Sequence, residues 1–443
     1  MPAEPVRRLG VATATLLVVA SMVGTGVFTT TGYLVRDIGS LPAVLFAWLI
    51  GGVLALFGAL AYGELVAALP HNGGEYQLLS RIYHPAVGFI AGFVSLVVGF
   101  SAPVAASAIA FAQYTNAATG SDAIGEPTIA VVLVVVLTGV HATRVSVGTG
   151  FQNAITAAKV LLIFAFVAGG IYAGDLGRLA RGSTRGFAEA TFSLELAIGL
   201  IYVSFAYSGW NAATYVAGEL RRPERTLPLA LITGTLLVTA LYLGLNVVFL
   251  SAAPAETIAA SEARVGHVAA VGLFGEGAAR VLSGIIAAGL VSTVGALVMT
   301  GPRVYEAVGC DYPKLAFLCW RREGGGPVVA MVLQSAISVV MVLTATFDEL
   351  LTYIGVTLSL GAALTVAGVT VLRIREPNLP RPYRAWGHPL TSIFFVALMT
   401  WMVVATLVEK PLVALVSLVT VTAGLALYFV VRPAPGGKDS SSL

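Results

Sequence analysis

Residues 43–62 read AVLFAWLIGGVLALFGALAY, an apolar run without a single charged side chain, and Leu227 to Leu250 is a second run of comparable length. A helix needs about 20 apolar residues to cross roughly 30 Å of hydrocarbon. Strands of membrane barrels alternate polar and apolar residues, whereas these segments do not. The sequence therefore predicts an all-α, polytopic protein that crosses a lipid bilayer.

The composition supports this class over the whole chain. Of its 443 residues, 57% are hydrophobic and only 11% are charged, against about 25% charged in a soluble domain. The net charge of +3 says little about partners, because the placement of the charges carries more information than their sum. We expect a lipid bilayer around the chain and no nucleic-acid partner.

Apolar runs separated by Gly, Pro and charged residues predict twelve transmembrane helices. They lie near residues 9–35, 41–69, 85–116, 127–142, 150–174, 192–217, 227–251, 277–303, 327–346, 349–372, 388–408 and 411–431. Most of the 25 Lys and Arg residues fall in alternate loops, such as 221–225 and 373–384. The positive-inside rule then places both termini in the cytoplasm. We expect one domain, 1–443, in the cytoplasmic membrane, with a disordered tail at 433–443.

The two cysteines, Cys310 and Cys319, lie in one predicted inner loop. Neither their spacing nor their neighbours suggest a metal site. We therefore expect two free thiols in a reducing compartment, no bound metal and no cofactor.

Two predicted spans contain a glycine-centred interruption. Span 1 has Val23-Gly24-Thr25-Gly26 at its middle, and span 6 has residues 205–211 in its second half. The interruptions are five spans apart, as in transporters whose two inverted five-helix repeats bind substrate where the first helix of each repeat unwinds. The alternative is that the glycines only permit close helix packing. A second break in the matching position favours a binding site.

The predicted breaks present opposite backbone dipoles. Amides of residues 24–26 begin the outer half of span 1 and could hold a carboxylate. Carbonyls of residues 205–208 end the outer half of span 6 and could accept hydrogen bonds from an ammonium group. The predicted substrate-binding residues are Val23, Gly24, Thr25, Gly26, Phe205, Ala206, Tyr207, Ser208, Gly209, Trp210 and Asn211. Together they predict a site for a zwitterion.

Lys159 lies at the middle of span 5, and no carboxylate occurs in that span. An intramembrane lysine costs roughly a few kcal/mol and normally faces a polar interior. Burial favours the neutral form, so Lys159 could release a proton and couple transport to a proton gradient. It could equally be a permanently charged strut that hydrogen-bonds carbonyls of a broken helix. The sequence leaves both roles open.

These motifs resemble those of the amino acid/polyamine/organocation (APC) superfamily, and its L-type amino acid transporter branch in particular. The resemblance rests on Val23 to Phe28, Gly58 to Leu65, Gly73 to Tyr76, Phe205 to Asn211, Pro302 to Tyr305 and Leu379 to Arg384. It implies a leucine-transporter-type fold, with inverted repeats at 9–174 and 192–372 and two additional helices at 388–431. In that family the lysine matching Lys159 stands where sodium-coupled relatives bind sodium, near helix 8, and Ser292 and Thr293 are the matching coupling residues.

The resemblance and the predicted zwitterion site imply secondary active transport of amino acids by alternating access, either as a proton symporter or as an exchanger, and no enzymatic activity. Glu64 and Glu195 lie near the predicted faces, and we expect no other carboxylate inside the membrane, which favours neutral amino acids. A polyamine or cationic amino acid exchanger and a non-transporting amino acid sensor remain alternatives. Heteromeric relatives have a cysteine in the loop after helix 3, whereas residues 116–126 contain none. No disulfide-linked heavy subunit is expected.

Overall fold

The structure, a computed structural model, is mostly helical in the part of the chain that it describes. It describes residues 10–69, 74–143, 149–214, 220–321 and 326–432, of which 149–155 by their backbone alone. No β-strand forms in these ranges, which confirms the all-α prediction. The predicted tail, 433–443, lies outside the described residues.

Within these ranges the chain forms eighteen α-helices, numbered here in chain order. They are α1 (Val11–Met22), α2 (Gly26–Ile38), α3 (Leu41–Ala68), α4 (Gly74–Ile82), α5 (Pro85–Val94), α6 (Ala102–Thr119), α7 (Glu126–Thr143), α8 (Thr149–Ala173), α9 (Arg178–Arg181), α10 (Phe187–Thr191), α11 (Leu194–Ala206), α12 (Pro223–Ala252), α13 (Ala255–Ala259), α14 (Val265–Asp311), α15 (Val328–Thr344), α16 (Phe347–Arg375), α17 (Leu390–Glu409) and α18 (Pro411–Val431). A π-helical turn, Ser95–Ser101, joins α5 and α6 into one span. Two 3₁₀ helices, Glu262–Arg264 and Pro313–Cys319, flank α14.

The long apolar helices make the chain a multi-pass membrane protein. In the described ranges nine helices are long and apolar enough to cross a bilayer, and ten if α1 and α2 form one span bent by 43°. Two shorter apolar helices, α11 with 13 residues and α15 with 17, stand where spans 6 and 9 are predicted. The prediction of twelve spans requires these two to cross as well, and it stays a prediction.

The stretch quoted first forms most of α3. Pro42 lies in its first turn, where the missing N–H would have no helical partner. Farther along, Gly52 lets α12 approach closely, since a Cβ on Gly52 would lie 2.4 Å from the side chain of Thr239. An apolar run with small residues on one side thus becomes a span that is buried mainly between other helices.

The two most extensive helix contacts, and a smaller third one, join elements that are five predicted spans apart. α3 packs along α12, α6 along α14, and α7 along α15. In the predicted order these are spans 2 and 7, 3 and 8, and 4 and 9. Pairing of this kind is what two intertwined five-helix repeats would produce.

Glu64, near the end of α3, lies in an ion cluster and not at an exposed face. Its side chain is 2% exposed and accepts hydrogen bonds from Arg373 Nε at 2.8 Å and Arg373 Nη2 at 2.6 Å. Arg381 Nε lies 3.5 Å away, and the Ala385 N–H donates at 2.7 Å. A buried carboxylate needs partners of this kind, because its charge has lost its water. The cluster fastens the segment after α16 to the end of α3.

The expectation of two free thiols is wrong. Cys310, near the end of α14, and Cys319 are joined by a disulfide, with their Cα atoms 5.9 Å apart. The chain turns back after α14, so that the 3₁₀ helix Pro313–Cys319 packs against Gly309, where a Cβ would lie 2.8 Å from Leu318. The spacing of the cysteines does not by itself show this reversal.

Candidate substrate site

The predicted break in span 1 is present. α1 ends at Met22 and α2 begins at Gly26, with Val23, Gly24 and Thr25 between them. The Gly24 N–H donates to the Met22 carbonyl at 2.8 Å, whereas no acceptor in the described chain bonds the amides of Thr25 and Gly26. Free amides at the N-terminus of a helix suit a carboxylate. Two of the three predicted amides are therefore available, and that of Gly24 is not.

The predicted break in span 6 is also present. α11 ends at Ala206, and residues 207–214 leave the α-helix. Gly209 has a φ of +92°, which favours glycine. The Tyr207 hydroxyl donates to the Trp48 carbonyl at 3.0 Å and fixes this segment to α3. Residues 215–219, which continue the chain, lie outside the described residues.

The two breaks touch each other through their glycines. A Cβ on Gly26 would lie 2.3 Å from the Cα of Ala206, and a Cβ on Gly209 would lie 2.6 Å from the carbonyl oxygen of Ser21. Real Cβ atoms do not approach backbone atoms so closely, so only glycine permits either contact. The structure thus brings segments 23–26 and 205–211 together in one place.

A tyrosine of α12 links the two breaks, and the sequence analysis did not identify it. Tyr242 is fully buried, and its hydroxyl lies 2.5 Å from the Met22 carbonyl and 3.1 Å from the Ala206 carbonyl. These are the last carbonyls of α1 and α11, which have no partner within their own helices. Tyr242 lies in a long apolar run, and no spacing rule connects it to either break.

Lys159 lies beside the break in span 1. Lys159 lines a cavity of about 50 Å³ together with Gly24 and with Thr293 of α14. Its other lining residues are Val23, Phe28, Leu162, Ile163, Ile285, Ile286, Gly289 and Leu290. In the described chain no ion pair includes Lys159. Ser292, the other predicted residue on α14, is not part of this lining.

A larger cavity, of about 450 Å³, lies away from both breaks. Its lining includes Tyr33 and Arg36 of α2, Glu262, and Phe347 and Asp348 at the start of α16. None of the predicted substrate or coupling residues lines it. Cavity size alone would therefore have pointed to a different part of the molecule.

Glu75 is a second residue that the sequence analysis did not place at the site. Its carboxylate accepts a hydrogen bond from the Tyr62 hydroxyl at 2.5 Å and one from Asn211 Nδ2 at 3.4 Å. The Tyr62 ring in turn meets the edge of the Trp210 ring, with centroids 4.7 Å apart. Burial raises the pKa of the Glu75 carboxyl, an effect that the Tyr62 hydrogen bond opposes. The sequence shows the motif Gly73 to Tyr76, but it does not show that α4 folds back towards span 6.

Comparison with known proteins places the chain near amino acid carriers over almost its full length. The family model described as amino acid permease matches residues 9–431. The chain is 27% identical to the human b(0,+)-type amino acid transporter 1, over 96% of this chain and 88% of that protein. It is 27% identical to the mouse large neutral amino acids transporter small subunit 2, over 96% and 81%. It is 25% identical to the mouse Asc-type amino acid transporter 1, again over 96% and 81%.

Proposed function

Since the chain belongs to the amino acid permease family and is an amino acid transporter, we propose that it moves neutral amino acids by alternating access, with the substrate held between the breaks of spans 1 and 6. The observation that carries this proposal is the meeting of the two breaks. Free amides of Thr25 and Gly26 stand beside the carbonyl end of α11. A carboxylate would bind the amides and an ammonium group the carbonyls.

The neighbourhood of the breaks favours an uncharged substrate side chain. Val23, Phe205 and Trp210 are buried apolar residues of the two segments. Glu75 is near Asn211, but its carboxylate already accepts from Tyr62 and Asn211. A transporter named for large neutral amino acids is among the relatives, which supports the same substrate class.

Lys159 is the proposed coupling residue, with Thr293 across the small cavity and Ser292 next to it on α14. Its position beside Gly24 brings its side chain close to the backbone of the span 1 break. Proton release would make the chain a symporter, whereas a permanently charged Lys159 would suit an exchanger. The family supports transport without choosing between these modes.

The topology proposed for this function has twelve spans, inverted repeats at 9–174 and 192–372, and two additional helices at 388–431. The packing of α3 on α12, α6 on α14 and α7 on α15 supports the repeats. The concentration of basic residues in alternate loops supports cytoplasmic termini and residence in the cytoplasmic membrane.

We propose that the chain works without a disulfide-linked heavy subunit. Some relatives are named as small subunits. This chain has two cysteines in all, and they are bonded to each other. Neither is then free for a covalent bond to a partner. On a non-reducing gel of protein from its native membrane we expect a single band near 45.7 kDa. A band of higher mass that disappears on reduction would refute the proposal.

Transport by purified protein in liposomes tests the proposed function. Radiolabelled alanine and leucine, with lysine and putrescine as charged competitors, are offered with and without an inward proton gradient and with internal amino acid present or absent. Gradient-driven accumulation in empty vesicles that Lys159→Ala abolishes indicates proton symport. Uptake that needs internal amino acid and ignores the gradient indicates exchange. Failure of every amino acid to move would refute the proposed function.

A further inference from the structure

Helix α4 joins several spans at one face of the molecule. The Tyr76 hydroxyl donates to Asp311 at the end of α14 at 2.5 Å. Arg81, in its last turn, forms an ion pair with Glu376 just after α16 at 2.7 Å. This side of the protein, where α4, the end of α14 and the end of α16 meet, is termed the α4 face.

The start of α4 also contacts the broken part of span 6. We term the group of Glu75, Tyr62, Trp210 and Asn211 the Glu75 cluster. In it the Glu75 carboxyl group accepts hydrogen bonds from the Tyr62 hydroxyl and from the Asn211 side-chain amide. Gly361 of α16 closes the cluster, since a Cβ there would lie 3.2 Å from Glu75 Oε2. Three elements, α3, α4 and α16, thus surround the α4 side of the break.

Trp210 is held in the cluster by packing as well as by the chain. Its ring lies edge-on to Tyr62 and also against Gly58, where a Cβ would lie 2.6 Å from the ring. The Tyr62 hydroxyl is fixed by Glu75 at 2.5 Å. Glu75 therefore determines where the Tyr62 ring lies, and with it Trp210.

We propose that Glu75 is a positioning residue that keeps the α4 face closed: through Tyr62 and Asn211 it holds residues 210 and 211 against α3 and α4, so that this face opens only when the Glu75 cluster separates. The inference rests on the proposed function, since it assigns a closed and an open state to a carrier that works by alternating access. Substrate binding between the breaks and closure of the α4 face then share Trp210 and Asn211.

Glu75→Gln keeps the shape of the side chain but puts an NH₂ group, which cannot accept a hydrogen bond, in place of one of its two oxygens. The weaker cluster raises the population open at the α4 face, so substrate arriving from that face finds a competent site more often. The apparent KM for substrate at the α4 face therefore falls, while the apparent KM at the opposite face rises. The loss of one hydrogen bond predicts a change of about tenfold in the ratio of the two KM values.

The experiment compares wild type, Glu75→Gln, Tyr62→Phe and Tyr76→Phe in liposomes whose insertion direction is determined from protease access to a terminal tag. Tyr76→Phe is the matched control, because it removes a hydrogen bond between the same helix and Asp311 without removing a bond of the Glu75 cluster. Alanine KM is measured from each face. The expected result is a shifted KM ratio in Glu75→Gln and Tyr62→Phe, and the wild-type ratio in Tyr76→Phe. Equal ratios in all four proteins, or an equal shift in Tyr76→Phe, would overturn the inference.

Hydrogen–deuterium exchange of the same proteins separates this inference from the proposed function. Faster amide exchange in residues 205–214 of Glu75→Gln and Tyr62→Phe, but not of Tyr76→Phe, supports the role of Glu75 even if wild type transports none of the amino acids tested. Should Glu75→Gln not fold, Tyr62→Phe removes the same hydrogen bond and leaves the carboxylate in place. Unchanged exchange in the variants that fold would overturn the inference.

Discussion

Replacement of Tyr242 by Phe tests whether the two breaks act as one site. The substitution removes a single hydroxyl from a fully buried side chain, so the surrounding packing is kept. Two carbonyls lose this donor, Met22 O at 2.5 Å and Ala206 O at 3.1 Å. Met22 O retains the Gly24 N–H at 2.8 Å, which leaves Ala206 O as the acceptor most affected.

The size of the effect of Tyr242→Phe follows from the number of hydrogen bonds that these carbonyls lose. One buried acceptor without a partner costs about 1–3 kcal/mol, and the retained Gly24 bond places Tyr242→Phe near the low end. About 1.4 kcal/mol corresponds to a tenfold change in an equilibrium constant. Since the Tyr242 hydroxyl links Ala206 O to the break in span 1, its loss lets the proposed ammonium site shift relative to the amides of Thr25 and Gly26, and we expect the apparent KM for alanine to rise about tenfold.

The assay is alanine transport in liposomes, with Tyr353→Phe as the matched control. Tyr353 is also buried, and its hydroxyl bonds Thr420 at 2.5 Å between α16 and α18, away from the breaks. Both variants should lose some thermal stability in detergent, but only Tyr242→Phe should change KM. An unchanged KM in Tyr242→Phe, or the same rise in Tyr353→Phe, would refute the reasoning.

Further predictions concern the ion cluster of α3 and the contact between the breaks. Glu64→Gln leaves two arginines facing an uncharged amide and should destabilise the protein by about 3 kcal/mol or more, measured as a lower melting temperature. Glu276→Gln, which removes a surface pair to Arg280, should cost less than about 1 kcal/mol, and equal losses would contradict the account. Gly26→Ala should abolish alanine transport, because its Cβ would lie 2.3 Å from a backbone atom of the other break. Gly139→Ala, with nothing within 4 Å, should transport normally, and activity in Gly26→Ala would show that the breaks can separate.

The class of fold and the position of both breaks could be predicted from the sequence. Length and hydropathy are local properties, so residues 43–62 predict a span at 41–69, and α3 covers Leu41–Ala68. The interruption at residues 23–26 is equally local, because glycine changes backbone freedom where it stands. Apolar runs predict the numbering of the spans, and in this predicted numbering the two breaks lie in matching positions.

Residues that act through distant contacts could not be predicted in this way. Tyr242 reaches the breaks only because α12 packs beside both of them, and Glu75 only because α4 folds back towards span 6. The disulfide likewise depends on the reversal of the chain after α14. Such contacts depend on packing between elements, about which hydropathy and motif spacing carry no information.

The contacts of Gly26 and Gly209 with backbone atoms also imply that two parts of an amino acid are recognised by different kinds of group. Every α-amino acid has the same carboxylate and ammonium groups, and the proposed partners for both are main-chain atoms, which substitution of a side chain does not remove. The group that distinguishes one amino acid from another would meet replaceable side chains such as Phe205 and Trp210. Selectivity could then diverge within this scaffold while the common part of the ligand is held in the same manner, and redesign of the carrier for a new cargo should begin at these side chains and leave the two glycines untouched.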